Sequence, residues 1–110
     1  MINIEEFKKV EIKVGKILSA EKIEGSEKLL KLSVDLGEET PRQIHSGIQK
    51  YFPDERVLGG NKCMFVTNLE PRQMMGLESN RMLFALGGNG DVPFSLIVPQ
   101  NDVPSGTSAN

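Results

Sequence analysis

Three short segments combine cationic side chains with amide and hydroxyl groups, and their chemistry points most directly to a ligand. They are residues 25–31, residues 42–48 and residues 68–82. Lys and Arg neutralise phosphates, while Ser, Asn and Gln form hydrogen bonds with phosphate and ribose oxygens. The residue types therefore indicate contacts with a nucleic-acid backbone, although a set of solvated loops would have the same composition.

Groups that could carry catalysis are sparse. His45 is the only histidine, and its neighbour Ser46 would point to the opposite face of a strand, so the two form no nucleophile–base pair. We expect His45 to be a partly exposed strand residue. Cys63 is the only cysteine, no Cys/His set has zinc spacing, and no Gly-x4-Gly-Lys-Ser/Thr phosphate loop is present. The sequence thus predicts no catalytic residues, no metal and no cofactor, and it disfavours a hydrolase built on Ser46.

The distribution of charge limits where an anion could bind. The 110 residues fit one domain and carry 13 basic and 15 acidic side chains, a net charge of −2. That sum argues mildly against nucleic acid, but the local distribution matters more. Every Lys and Arg lies at or before Arg81, and from Met82 onward only Asp91 and Asp102 are charged. An anion-binding surface must therefore come from the first three quarters, and the tail must serve packing or association.

The sequence lacks the patterns typical of membrane and secreted proteins. No apolar run approaches the roughly 20 residues that a membrane-spanning helix needs. The N-terminus lacks the pattern of a signal peptide, and a single cysteine allows no disulfide within the chain. We expect a cytoplasmic protein with no membrane partner.

The first half of the chain must position two of the polar segments. Asn3 and Glu6 have capping-box spacing, which predicts a short helix over residues 4–9. Alternating apolar residues from Val10 predict a strand, and a change of phase at Gly15 predicts a β-bulge or a sharp bend there. Strict alternation over residues 30–36, followed by a turn, predicts a hairpin with residues 42–45.

The second half continues with short strands. One helical turn is expected over residues 48–52, and strands over residues 63–66, 82–86 and 94–98. The first two of these strands are continuously apolar, so we expect burial on both faces, with Phe65 and Phe84 in the core. The tail after Pro99 is expected to be turn-like and frayed at its end. This inventory predicts an all-β fold, a five-stranded OB-fold barrel with short helices and a C-terminal β extension.

The order of the motifs carries a resemblance to a known family. The matching stretches are residues 7–17, Glu21, and residues 26–30, 34–37, 42–48 and 68–72, together with Met75-Gly76, Ser79 and Met82. As a set they resemble the tRNA-binding domain family, found at the C-terminus or as the beta subunit of methionyl-tRNA synthetases and as free-standing tRNA-binding proteins. The resemblance runs from about residue 5 to 104. Residues 25–30 and 68–71 are nearer the synthetase branch than the secretion-chaperone-like branch, and Arg81 departs from the family's usual glycine.

The resemblance implies a fold, a function and a set of contacts. It implies one OB-fold domain, with a barrel over about residues 8–87 and a dimerisation extension over about 88–110. It implies structure-specific tRNA binding by a homodimer, either free-standing or as the beta subunit or C-terminal appendix of methionyl-tRNA synthetase. The initiating Met1 favours a complete chain or a separate subunit. The alternative is a chaperone-like protein-interaction module of the same fold.

The residues carried over by position have distinct expected roles. Four cations would neutralise phosphates: Lys28, Lys31, Arg42 and Arg72. Asn68 and Ser79 would donate hydrogen bonds, Ser46 would contact tRNA or support a bend at Gly47, and Met82 would contact tRNA or join the core. Only five Phe and one Tyr are present, which favours contacts with backbone and 2′-hydroxyl groups over stacking on bases.

Overall fold

The computed structural model describes residues 1–70, 72–74, 77–79 and 82–109, and of residues 72–74, 77–79 and 82 only the backbone. The elements follow in chain order: α1 Ile4–Phe7, β1 Ile12–Lys22, β2 Leu30–Asp35, β3 Arg42–Ser46, two 3-10 turns at Gln49–Tyr51 and Glu55–Leu58, β4 Lys62–Val66, β5 Arg72–Met74, β6 Leu77–Ser79, β7 Met82–Leu86 and β8 Ser95–Leu96. The all-β class with little helix is confirmed.

The strands form one six-stranded sheet and one separate hairpin. The sheet order is β3-β2-β1-β4-β7-β8, every neighbouring pair is antiparallel, and β5 pairs with β6 alone. The predicted barrel of five strands is therefore not closed in the described part of the chain, where β3 and β8 remain the two outer strands. The β5–β6 hairpin was not predicted from the sequence, and its strand β6 contacts β3.

The core lies on the inner face of this sheet. Leu30, Leu32 and Val34 are fully buried, while Lys31, Ser33 and Asp35 on the opposite face are half-buried. This matches the alternation predicted for β2. Further fully buried side chains come from β1, β3, the second 3-10 turn and β4: Ile17, Ile44, Leu58, Cys63 and Phe65. Burying a large apolar side chain contributes about 1.5–3 kcal/mol, so these strands carry most of the stability.

Gly15 serves a purpose other than the predicted bulge. The irregularity in the pairing of β1 with β2 lies between Ile17 and Ser19. At Gly15 an added Cβ would lie 2.7 Å from Val34 Cγ1 and 2.8 Å from the Phe65 ring. The glycine therefore permits close packing inside the core. The apolar phase changes here because Val14 is buried on the opposite, outward face of β1.

The C-terminus is hydrogen-bonded to the backbone of β1 around Val14 and does not fray as predicted. Gly106 N donates to Val14 O at 2.7 Å, and Val14 N donates to Thr107 O at 2.9 Å. Ala109 N then donates to Ile12 O at 2.8 Å. Residues 104–109, the C-terminal strap, thus pair with the part of β1 that β2 leaves free. The prediction of fraying was wrong because backbone hydrogen bonds to the edge of a strand require no apolar pattern in the sequence, so the sequence does not reveal them.

Three smaller predictions are also corrected. Helix α1 ends at Phe7, although Asn3 Oδ1 caps it by accepting from Glu6 N at 2.9 Å as expected. The last strand is limited to Ser95–Leu96. Phe84 is 43% exposed, because it lies on the outward face of β7 opposite Met64 and does not enter the core.

None of the described helices is long and apolar enough to cross a membrane.

Candidate nucleic-acid interface

Two of the polar segments meet at one end of the sheet. The β1–β2 loop and the first 3-10 turn are joined by Gln49, whose Nε2 donates to Ser26 O at 3.1 Å and Leu29 O at 2.9 Å. Gln49 N also donates to Lys28 O at 3.1 Å. Within the loop, Ser26 Oγ accepts from the backbone N–H groups of Lys28 and Leu29. Residues 23–31 and 46–51, called the loop edge here, therefore form one connected unit.

Three lysines of the loop edge have no carboxylate partner. Lys28, Lys31 and Lys50 form no ion pair within the described part of the chain. Five cations elsewhere do form one: Lys13, Lys22, Arg42, Arg56 and Lys62. Lys8, Lys9 and Lys16 likewise form no ion pair in the described part of the chain. The three lysines of the loop edge and its two carboxylates, Glu24 and Glu27, give this edge a net charge of +1 in a chain whose net charge is −2.

The predicted residues of β3 lie at opposite ends of that strand. Ser46 pairs in register with Leu30, which places it at the loop edge, whereas Arg42 pairs with Val34. At about 3.3 Å per residue, the four steps from Arg42 to Ser46 correspond to about 13 Å. Arg42 Nε donates to Glu38 Oε1 at 2.8 Å and its Nη2 to Oε2 at 3.2 Å. The hydrogen bond with Glu38, followed by the attraction between the charges, raises the pKa of Arg42.

Asn68 lies far from the loop edge. Its Oδ1 accepts from Glu11 N at 2.9 Å, and its Nδ2 donates to Lys9 O. These bonds fasten the end of β4 to the chain just before β1, whereas the loop edge lies beyond Lys22 at the other end of β1. The contact of Asn68 with tRNA stays a prediction, and the structure supports a role in holding the N-terminal segment.

The third polar segment folds into the β5–β6 hairpin. Arg72 and Ser79 are directly opposite partners in it, and β6 contacts β3. Their backbones therefore bring two predicted residues together beside the strand that ends in Ser46. Met82 pairs with Val66 in the sheet. The Met75-Gly76 match and the departure at Arg81 lie outside the described residues.

Catalytic chemistry finds little support in the described residues. His45 is only 4% exposed, which corrects the expected partial exposure, and its Nε2 lies 3.4 Å from Gln43 Nε2. Its strand is also contacted by β6. Burial raises the pKa of the Cys63 thiol to about 12 and leaves it unreactive at neutral pH. No group of three or more potential metal ligands occurs among the described residues.

Sequence reasoning missed two residues of this interface, Gln49 and Lys50. Both follow the recognisable Ser46-Gly47-Ile48 stretch, but they were assigned only to a helical turn. The available signal was a lysine next to an amide side chain, the combination that marked the other segments. With these two residues included, the molecule is defined as a small all-β binding domain with a cationic loop edge.

Comparison with known proteins identifies the family of this domain. The family model described as "Putative tRNA binding domain" matches residues 12–108. The methionine–tRNA ligase of Methanospirillum hungatei is 50% identical over 106 residues, which are 96% of this chain and 15% of that protein. The chain belongs to the tRNA-binding domain family, in the form carried by methionyl-tRNA synthetases. It spans about 15% of the length of such relatives.

Solved structures agree with this assignment. The MetRS-related protein of Pyrococcus horikoshii has a TM-score of 0.88 and 38% identity, covering 99% of this chain and 97% of that one. The chaperone CsaA of Bacillus anthracis has a TM-score of 0.84 at 24% identity, covering 100% and 99%. The second likeness shows a common fold only.

Proposed function

We propose that this chain binds folded tRNA by shape, as a non-catalytic module that serves methionyl-tRNA synthetase or acts free-standing. The observation that carries the proposal is the cluster of three lysines without carboxylate partners on a hydrogen-bonded loop edge, in a chain of the tRNA-binding domain family. Such a surface contributes attraction to phosphates that does not depend on sequence.

The aromatic side chains support recognition of the RNA backbone. Tyr51 stacks on Phe94 with ring centroids 4.4 Å apart, and Phe52 meets the same ring edge-on at 5.8 Å. Phe65 is fully buried. Phe7 and Phe84 are exposed, but neither belongs to the loop edge. Contacts with phosphates and 2′-hydroxyls therefore fit this edge better than stacking on unpaired bases.

Two further parts of the proposal concern assembly. Phe84, Leu86, Val92 and Val98 expose between 43% and 59% of their surface, on β7 and in the region after it, which contains no Lys or Arg. We propose that this region forms a two-fold interface between copies, which light scattering at micromolar concentration checks: the monomer mass would contradict it. We also propose that a synthetase subunit in the cytoplasm supplies the catalytic site to which the bound tRNA is presented.

The function is tested by titrating the protein with folded tRNA, unfolded tRNA and duplex RNA at two salt concentrations. Preferential binding of folded tRNA that weakens steeply with salt is expected. Lys31→Glu should weaken binding more than the matched variant Lys9→Glu, because Lys9 is exposed near helix α1. Equal affinity for the three RNAs would refute recognition by shape. Salt-insensitive binding of apolar peptides, unaffected by Lys31→Glu, would favour the chaperone-like alternative.

A further inference from the structure

The loop edge contains a cleft of about 240 Å³ lined by Glu27, Lys28, Leu29, Gly47 and Lys50. We propose that this cleft is a preformed seat for one phosphate of the RNA backbone, with Lys28 and Lys50 as its cations and Gln49 as the positioning residue. The inference rests on the proposed function and deepens it, because it assigns a contact to Lys50 and a positioning role to Gln49. Both residues lie outside the set carried over from the family motifs.

The two walls of the cleft are held in place by Gln49. Its side chain bonds two carbonyl groups of the β1–β2 loop, at Ser26 and Leu29, and its backbone N–H bonds a third, at Lys28. These three bonds join the loop that carries Lys28 to the turn that carries Lys50. A site whose walls are fixed before binding loses less conformational entropy when its ligand arrives.

The charge of the cleft favours a single phosphate. Lys28 and Lys50 line it without ion pairs, while the carboxylate of Glu27 offsets one of the two charges and leaves a net charge of +1. Lys50 Nζ lies 5.0 Å from the centroid of the Tyr51 ring. Tyr51 is itself fixed, because its hydroxyl donates to Gly88 O at 3.1 Å and its ring stacks on Phe94. This contact with a fixed ring orients the Lys50 side chain.

The backbone conformation at position 47 does not require glycine, and Gly47 leaves open space at the wall of the cleft. Its φ lies outside the left-handed region that favours glycine, and no atom lies within 4 Å of the position that a Cβ would take. A side chain at this position is therefore tolerated by the fold and would project into open space at the cleft wall. This makes position 47 suitable for a test that separates occupation of the cleft from loss of structure.

The experiment compares Gly47→Asp with Gly47→Asn, which have nearly the same size and differ by one charge. Affinity for folded tRNA is measured over a range of salt, and urea unfolding confirms that the two variants are equally stable. We expect Gly47→Asp to bind at least tenfold more weakly than Gly47→Asn at low salt, because its carboxylate would occupy the position of the phosphate. Equal affinities of the two variants would overturn the phosphate seat.

A second pair of variants tests the cations directly. Lys50→Gln should lower the slope of log affinity against log salt by about 0.7–0.9, the share of one phosphate contact, whereas Lys9→Gln should leave it unchanged. Gln49→Met should weaken binding while the slope stays closer to that of the wild type. If the wild type binds folded tRNA but Lys50→Gln behaves as Lys9→Gln does, the seat is wrong and the tRNA-binding function stands. If the wild type itself does not bind tRNA, both proposals fall.

Discussion

Docking of the C-terminal strap makes a sharp prediction for Gly106→Ala. Gly106 has φ +89, and an added Cβ would lie 2.7 Å from Leu36 O and 3.2 Å from Gly37 Cα. Its N–H donates to Val14 O at 2.7 Å. Gly90→Ala is a control for positive φ without a collision, because Gly90 has φ +58 and no atom within 4 Å of the added Cβ. Its backbone is the less strained of the two, since φ +58 lies in the left-handed region that L-residues can enter.

The expected magnitudes follow from these differences. Left-handed backbone costs an L-residue about 1–2 kcal/mol, and Gly90→Ala should lose about that much. At Gly106 the alanine must also displace the Leu36 carbonyl, which weakens a backbone hydrogen bond worth about 1 kcal/mol. Adding the two contributions, we expect Gly106→Ala to lower the free energy of unfolding by about 2–3 kcal/mol.

Urea denaturation of both variants measures the difference, and hydrogen exchange locates it. The Val14 amide, which donates to Thr107 O, should lose protection in Gly106→Ala and keep it in Gly90→Ala. Equal destabilisation by the two alanines, with Val14 equally protected, would refute the docking of the strap on β1.

Three further outcomes are expected. Asn68→Ala removes two hydrogen bonds to the N-terminal segment, so urea unfolding should show a loss of about 1–2 kcal/mol; reduced tRNA affinity at unchanged stability would instead favour a contact with RNA. Glu38→Gln releases Arg42 from its carboxylate, so filter binding should show tighter binding of tRNA and a steeper salt dependence if Arg42 reaches a phosphate, whereas unaltered binding would remove Arg42 from the interface. Burial raises the pKa of Cys63 to about 12, above its unfolded value. The unfolded thiol therefore ionises first, and the stability of the protein should fall as pH rises above about 9. In iodoacetamide labelling at pH 8.5 the thiol should react only after denaturant is added, and rapid labelling of the native protein would contradict its burial.

The sequence predicted those strands whose side chains face both a core and solvent. The alternation of β2 placed Leu30, Leu32 and Val34 correctly, because a period of two follows directly from strand geometry. The same rule failed at Phe84, whose apolar run lies on a strand with an exposed outer face. An apolar residue that packs in the core and one that stays exposed on the outer face of a strand look alike in a sequence.

Tertiary hydrogen bonds account for what the sequence did not reveal at the site. Gln49 links two loops through carbonyl groups, an interaction that depends on the path of the backbone and leaves no spacing pattern. Asn68 was expected to bind RNA because of its residue type and its place in the family motif, and in the fold its amide oxygen and nitrogen each bond the N-terminal segment. Residue types thus identified the polar segments, and only the structure distinguished side chains that hold the protein together from those that face a ligand.

The pairing of charges explains how an acidic chain can present a cationic surface. Carboxylates close to β1, β3 and β4 neutralise cations locally, as Glu38 does for Arg42 and Asp102 does for Lys62 at 2.7 Å. The lysines of the loop edge have no such partners in the described part of the chain. Because screening limits exposed charges to about 8 Å at physiological salt, an approaching phosphate responds to this local excess far more than to the net charge of −2. The net charge of +1 at the loop edge is therefore compatible with binding of a polyanion by an acidic chain, although Lys8, Lys9 and Lys16 also lack a carboxylate partner in the described residues.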